Sequence, residues 1–139
     1  CHSRAGGNPE HLLTSGTPII RRMAYMLLIL EDPAQRGTRT RAEGEAVFQR
    51  MLDFAAELKR QDKLLGVESL ASLDKGARVQ VRGGKPQVLD GPFAEAKEMV
   101  GGFFLLNVAC GEEALALARA CPAAEWATVE VRETAPCYL

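Results

Sequence analysis

The chain has 139 residues, of which 47% are hydrophobic and 25% charged, a composition that fits one globular domain with a core of its own. The first 22 residues hold three Arg and one Glu, a net +2, and leave the remainder at −3, so the body lacks the basic footprint that nucleic acid demands. No apolar run reaches membrane-spanning length and no secretory-type leader is visible, so the expectation is a cytoplasmic protein without a membrane partner.

Residues 1–22 show little periodicity and contain both histidines, His2 and His11; they are taken as an N-terminal extension outside the core fold, which occupies 23–139. That body then has no imidazole. A Ser-His or Cys-His nucleophile pair and a His-held metal are excluded for it, and neither metal nor cofactor is expected. Cys1, Cys110, Cys121 and Cys137 are far apart with no C-x-x-C pair, which argues against a zinc ribbon, a redox motif or a disulfide framework.

Tyr25 to Leu30 is an unbroken apolar run, expected to be a strand covered on both faces. Thr40-Arg41-Ala42-Glu43 is a capping-box signature, in which a Thr hydroxyl and a Glu carboxylate each accept a free amide at a helix start. In the helix it opens, Val47, Met51, Phe54, Ala55 and Leu58 form one apolar stripe. Leu64 to Leu73 is read as a second strand. Val79 and Val81 then alternate with Arg78, Gln80 and Arg82, and Gly83-Gly84 supplies a two-residue hairpin turn of the primed type.

The hairpin delivers the chain to Asp90-Gly91-Pro92-Phe93-Ala94-Glu95-Ala96-Lys97-Glu98. Pro92 fixes its own φ, lacks an amide hydrogen and holds Gly91 away from the helical region, so Gly91 and Pro92 force a turn. Asp90 is of the type that accepts amides two or three residues ahead, which fits an Asx-turn or a helical turn through Ala94 to Glu98, with Phe93 as the apolar plug. Two roles for Asp90 stand side by side: a turn cap, or a general acid or base in a small pocket. In the second, Phe93, Glu95 and Lys97 are the substrate-binding neighbours and Glu68 a further carboxylate, with Lys97 holding a small acidic ligand or tuning Asp90.

Gly101-Gly102 is expected to break any helical turn before a strand from Phe103 to Val108. A second helix opens at Gly111, turns Ala114, Leu115, Ala118 and Cys121 inward and stops before Pro122; Thr128 to Glu133 alternates as a last strand. Strand, helix, strand, hairpin, strand, helix, strand is a split βαβ pattern with an inserted hairpin, which predicts an α+β fold: an antiparallel sheet with two helices on one face. Its two central strands are apolar on both faces, whereas the helices cover one. A homodimer through the sheet faces is the expected solution.

Several of these stretches, namely Tyr25-Met-Leu-Leu-Ile, Asp90-Gly-Pro-Phe-Ala-Glu-Ala-Lys-Glu, Gly101-Gly-Phe-Phe-Leu, the Glu-Ala-Leu helix ending at Cys121-Pro122 and Thr128-Val-Glu-Val-Arg132, occur in an order that resembles the DGPF branch of the YCII-related family. The resemblance covers 23–139. It implies a ferredoxin-like fold of the dimeric α/β-barrel type. Relatives in the wider superfamily include muconolactone isomerases and a chloromuconolactone dehalogenase, which implies a cofactor-free enzyme moving a proton on a small carboxylic acid or lactone through Asp90. The alternative is a non-catalytic module binding a small ligand or partner, linked to the sigma factors with which bacterial DGPF proteins are often associated. Some YCII-related proteins carry a site histidine that this body lacks, which leaves Asp90 alone.

Overall fold

The computed structural model describes residues 24–139, so the proposed extension lies outside the described residues. Eight elements follow the expected order: β1 (Ala24–Glu31), α1 (Arg41–Arg60), β2 (Leu64–Ser69), β3 (Ala77–Arg82), β4 (Lys85–Asp90), β5 (Met99–Asn107), α2 (Gly111–Ala120) and β6 (Thr128–Glu133). Short 3₁₀ turns at Arg36–Thr38, Leu73–Lys75 and Pro122–Glu125 join them. The main sheet runs β2-β5-β1-β6, antiparallel throughout, while β3 and β4 form a separate ribbon. This is the ferredoxin-like order, an α+β sandwich carrying a hairpin between β2 and β5.

Alternation decides which side of the sheet is inside. On β1, Tyr25, Leu27, Ile29 and Glu31 point to the helices and are buried, while Met26, Leu28 and Leu30 point away and are only half-buried. β5 matches it: Leu27 pairs with Phe104 and Tyr25 with Leu106 on the helix side, Leu28 with Phe103 and Met26 with Leu105 on the other. The core thus lies between the sheet and the helices, with Leu58, Ala114, Ala118 and Cys121 closing it. The expectation that both faces of the central strands are covered holds for one face within the subunit.

Several local readings are corrected. Gly101 and Gly102 do not precede the strand; they lie inside β5, where Gly101 is an extra residue between the pairs Ile29–Gly102 and Leu30–Val100. β2 stops at Ser69, short of Leu73. On α2, Leu115 is 46% exposed, and Leu117 takes the inward place beside Ala114 and Ala118, because Leu115 stands a third of a turn off their line. Cys121 is free and buried, and burial pushes its thiol pKa up; Cys137 is free and exposed. Cys110 is disulfide-bonded. The hairpin turn is as read, with φ of +59° at Gly83 and +77° at Gly84. No helix among the described residues is long and apolar enough to cross a membrane.

Candidate functional site

Only Leu58 of the twenty residues of α1 is fully buried, because the helix touches the sheet mainly through its second half, where Phe54 meets Phe104 edge-on with ring centroids 5.4 Å apart. Its first half stands clear of the sheet. Beneath it is a cavity of about 650 Å³, in the range of small-molecule sites. Ile29, Val67 and Phe104 rise from the sheet, Val47, Phe48 and Met51 descend from α1, and Trp126 closes one side. Gly44, one turn into α1, also lines it, and a Cβ there would meet nothing within 4 Å.

The polar groups of this cavity come from the Arg-rich loop before α1 and the end of β1. Glu31 continues the inward phase of β1 and so enters the interior as a carboxylate with 9% exposure. Such a charge is tolerated only when paired. Arg36 pairs it: Nε donates to Glu31 Oε1 at 2.6 Å, one terminal nitrogen donates to the Leu70 carbonyl at 2.8 Å and the other to the Gly101 carbonyl at 3.3 Å. Gly101 is glycine for this reason, since a Cβ there would lie 2.2 Å from Glu31 Oε2 and 3.0 Å from the Arg36 guanidinium.

Arg39 is different. The residue is half-buried, and its guanidinium lies 5.9 Å from the centre of the Trp126 ring and makes no hydrogen bond or ion pair among the described residues. Arg50 approaches the same ring at 5.4 Å but is taken by Glu125, in a two-pronged bond of 3.0 and 2.6 Å. That bond and the Arg50 charge hold the Glu125 carboxyl below its usual range. Arg39 is therefore a cation at the cavity wall, oriented by an aromatic face and free to take an anion. Among the described residues no group of three or more His, Cys, Asp or Glu has metal-site geometry.

The residues expected from the sequence divide into three places. Asp90 ends β4 opposite Ala77, is exposed, and its carboxylate makes no hydrogen bond or ion pair among the described residues; it does not line the cavity beneath α1. The amide-accepting turn expected of it is replaced by bonds of its neighbours, Gly91 N donating to the Gly76 carbonyl at 2.8 Å and Ala96 N to the Phe93 carbonyl at 3.0 Å. No helix forms over Ala94 to Glu98: the Ala96-to-Phe93 bond makes one turn there that is not repeated. Gly91 is needed where it stands: a Cβ would meet the Leu73 carbonyl oxygen at 1.9 Å. The Gly91–Pro92 bond is cis.

Phe93 is buried, with the Arg78 guanidinium 3.8 Å over its ring, and Glu95 lies 3.7 Å from Arg78. These three form the root of the hairpin. Lys97 instead lines a shallow groove with Glu98, Gln35 and Glu125, and Glu68 lines the large cavity from β2. Glu31, Arg36, Arg39 and Trp126 were not singled out in the sequence. Glu31 was legible as the fourth member of the Tyr25, Leu27, Ile29 phase, whereas the Arg39–Trp126 contact spans 87 positions and leaves no local signal.

Comparison with known proteins agrees with this architecture. A family model described as the YCII-related domain matches residues 23–137. A protein of Rhizobium meliloti (strain 1021) named "Uncharacterized protein R00369" is 32% identical over 97 residues, which span 70% of this chain and 78% of that protein. With a ferredoxin-like sheet, the DGPF turn after an inserted hairpin and a family match over nearly all described residues, the chain belongs to the YCII-related family.

Proposed function

We propose that this protein binds a small carboxylic acid in the cavity between α1 and the sheet, with Arg39 as the group that takes the carboxylate. The observation that carries the reading is a half-buried arginine whose guanidinium has no anionic partner among the described residues and lies against Trp126, at the wall of a cavity that also has apolar walls from Ile29, Val47, Phe48 and Phe104. A guanidinium matches a carboxylate with two parallel hydrogen bonds, and partial removal from water makes that match worth more than at an open surface. Arg36 is engaged by Glu31 and two carbonyls, so it shapes the cavity rather than competing for the ligand.

A thermal-shift series tests this. Benzoate, phenylacetate and octanoate are expected to raise the melting temperature by several degrees, since a ligand that binds only the folded state stabilises it by about 2.7 kcal/mol at 100 times its Kd. The corresponding primary amides are expected to have no effect. Equal shifts from acids and amides would remove Arg39 from the account.

A second reading keeps proton transfer at Asp90, and what favours it is that this carboxylate is exposed and unengaged among the described residues. Under that reading Asp90→Asn abolishes turnover of a small acid or lactone without loss of stability; under the first it changes nothing. The assembly that fits either reading is a homodimer through the helix-free face of the sheet, where Met26, Leu28, Leu30, Phe103 and Leu105 present a contiguous half-buried apolar surface.

A further inference from the structure

Taking the cavity as the seat of a small carboxylic acid, we propose that its ligand also carries a hydrogen-bond donor, a hydroxyl or an N–H, that meets Glu31 Oε2. An ionised carboxylate only accepts, and its two oxygens offer about four lone-pair positions. Glu31 Oε1 receives the Arg36 Nε, and no donor reaches Oε2 among the described residues. No side chain of β5 can supply one at this point, because the residue facing Oε2 is Gly101, whose missing side chain is what makes room for that oxygen. A nine-tenths-buried carboxylate is thus left half-satisfied by its own fold.

Oε2 is nevertheless not sealed. The one side-chain oxygen or nitrogen among the described residues that is both sealed and unbonded is Oε1 of Gln35, so Oε2 keeps an opening, and Glu31 forms wall of the cavity. With an opening, Oε2 can be reached by water. A ligand body filling the space expels that water, and if it brings no donor of its own it leaves a buried negative oxygen bare. A site of this kind discriminates sharply against the analogue lacking the donor. Arg39 and Glu31 on the wall of one cavity therefore define an acid that also carries a hydroxyl or amine, a class narrower than carboxylic acids at large.

The test is isothermal titration of the full chain with 3-phenylpropionate, its three ring-hydroxylated isomers and the matching methoxy compounds. At least one hydroxy isomer is expected to bind on the order of tenfold or more tighter than the unsubstituted acid, and its methoxy counterpart no tighter. In Glu31→Gln the amide oxygen still accepts from Arg36 while an NH₂, which can donate to a hydroxyl or a methoxy oxygen alike, replaces Oε2, so the preference for hydroxy over methoxy is expected to disappear. Unsubstituted, hydroxy and methoxy acids binding alike to wild-type protein would overturn the donor requirement while leaving the cavity as the acid site. Binding of none of them would overturn both. The wild-type comparison decides the matter if Glu31→Gln does not fold.

Discussion

Gly101 shows how a residue that looks like punctuation does something else. In the sequence the Gly101-Gly102 pair has the form of a break, yet both glycines sit in the ladder of β5, where the first leaves room for the Glu31–Arg36 pair and the second for the Glu68 carbonyl, 2.8 Å from where a Cβ would stand. Gly101→Ala is expected to lower stability by about 3 kcal/mol in urea denaturation, because it must separate a pair whose carboxylate is buried. Gly37→Ala, where a Cβ meets nothing within 4 Å, serves as the control. Loss of less than about 0.5 kcal/mol at Gly101 would mean the ion pair is not held as described. The Glu31 carboxylate could be expected inside from alternation alone. Its partner could not, since an Arg in a polar loop after Pro33 has no periodicity to place it.

At the level of the element, α1 is fastened at its ends more than along its length. Thr40 and Glu43 form the reciprocal cap that the sequence announced, with the Thr40 oxygen accepting from Glu43 N at 3.1 Å and the Glu43 carboxylate from Thr40 N at 2.8 Å. Thr40→Ala is expected to cost about 1 kcal/mol. Gly44 is the weak point of the same turn: glycine within a helix is about 1 kcal/mol worse than alanine, and here a Cβ has open space. Gly44→Ala should therefore raise stability by about 0.5–1 kcal/mol, and because it narrows the cavity it should also weaken binding of the acid. A gain in stability with unchanged affinity would show that this wall is not touched by the ligand.

The ion pairs of α1 set its response to acid. Hydrogen bonds from Arg60 and then Gln61 lower the Glu57 carboxyl to about 2, and Arg50 lowers that of Glu125, which ties α1 to the turn after α2. A carboxylate whose folded value is depressed adds stability above its unfolded value, and that part is lost as pH falls through the folded one. The melting temperature is thus expected to be level near neutrality and to decline from the ordinary carboxylate range down toward pH 2. The decline should be shallow, as these pairs are solvent-exposed, and shallower still in Arg50→Met. A melting temperature that rose on acidification would contradict the assignment. The hairpin was legible residue by residue, because Gly83-Gly84 between alternating strands leaves few choices; that it stands off the main sheet, with every residue of β3 and β4 exposed, was not, since that depends on where the strands around it pair.

For the whole molecule, periodicity fixed the strand and helix order and the side on which the core lies, while the cavity was invisible to it. An apolar stripe on α1 predicts packing; it does not say that the first half of the helix hangs over open space, with Phe48 and Leu52 still 48% and 45% exposed. Nor does the nine-residue signature around Asp90 disclose that its members part company, Asp90 at the surface, Phe93 in the hairpin root and Lys97 in another groove. The helix-free sheet face carries its own expectation. Leu28→Lys, at the middle of that face, is expected to turn a dimer into a monomer by light scattering, with secondary structure retained; a wild-type chain that is monomeric at micromolar concentration would contradict the proposed assembly.

The most direct measurement is the affinity of a small carboxylic acid such as phenylacetate, by isothermal titration, for the wild type and for Arg39→Met, which keeps an unbranched apolar side chain of similar length and removes the charge that faces Trp126. A charge-assisted hydrogen-bonded pair of this kind contributes about 1.5–3 kcal/mol, so the variant should bind roughly 10- to 100-fold more weakly at unchanged stability. Equal affinity in the two proteins would contradict a ligand site built on Arg39.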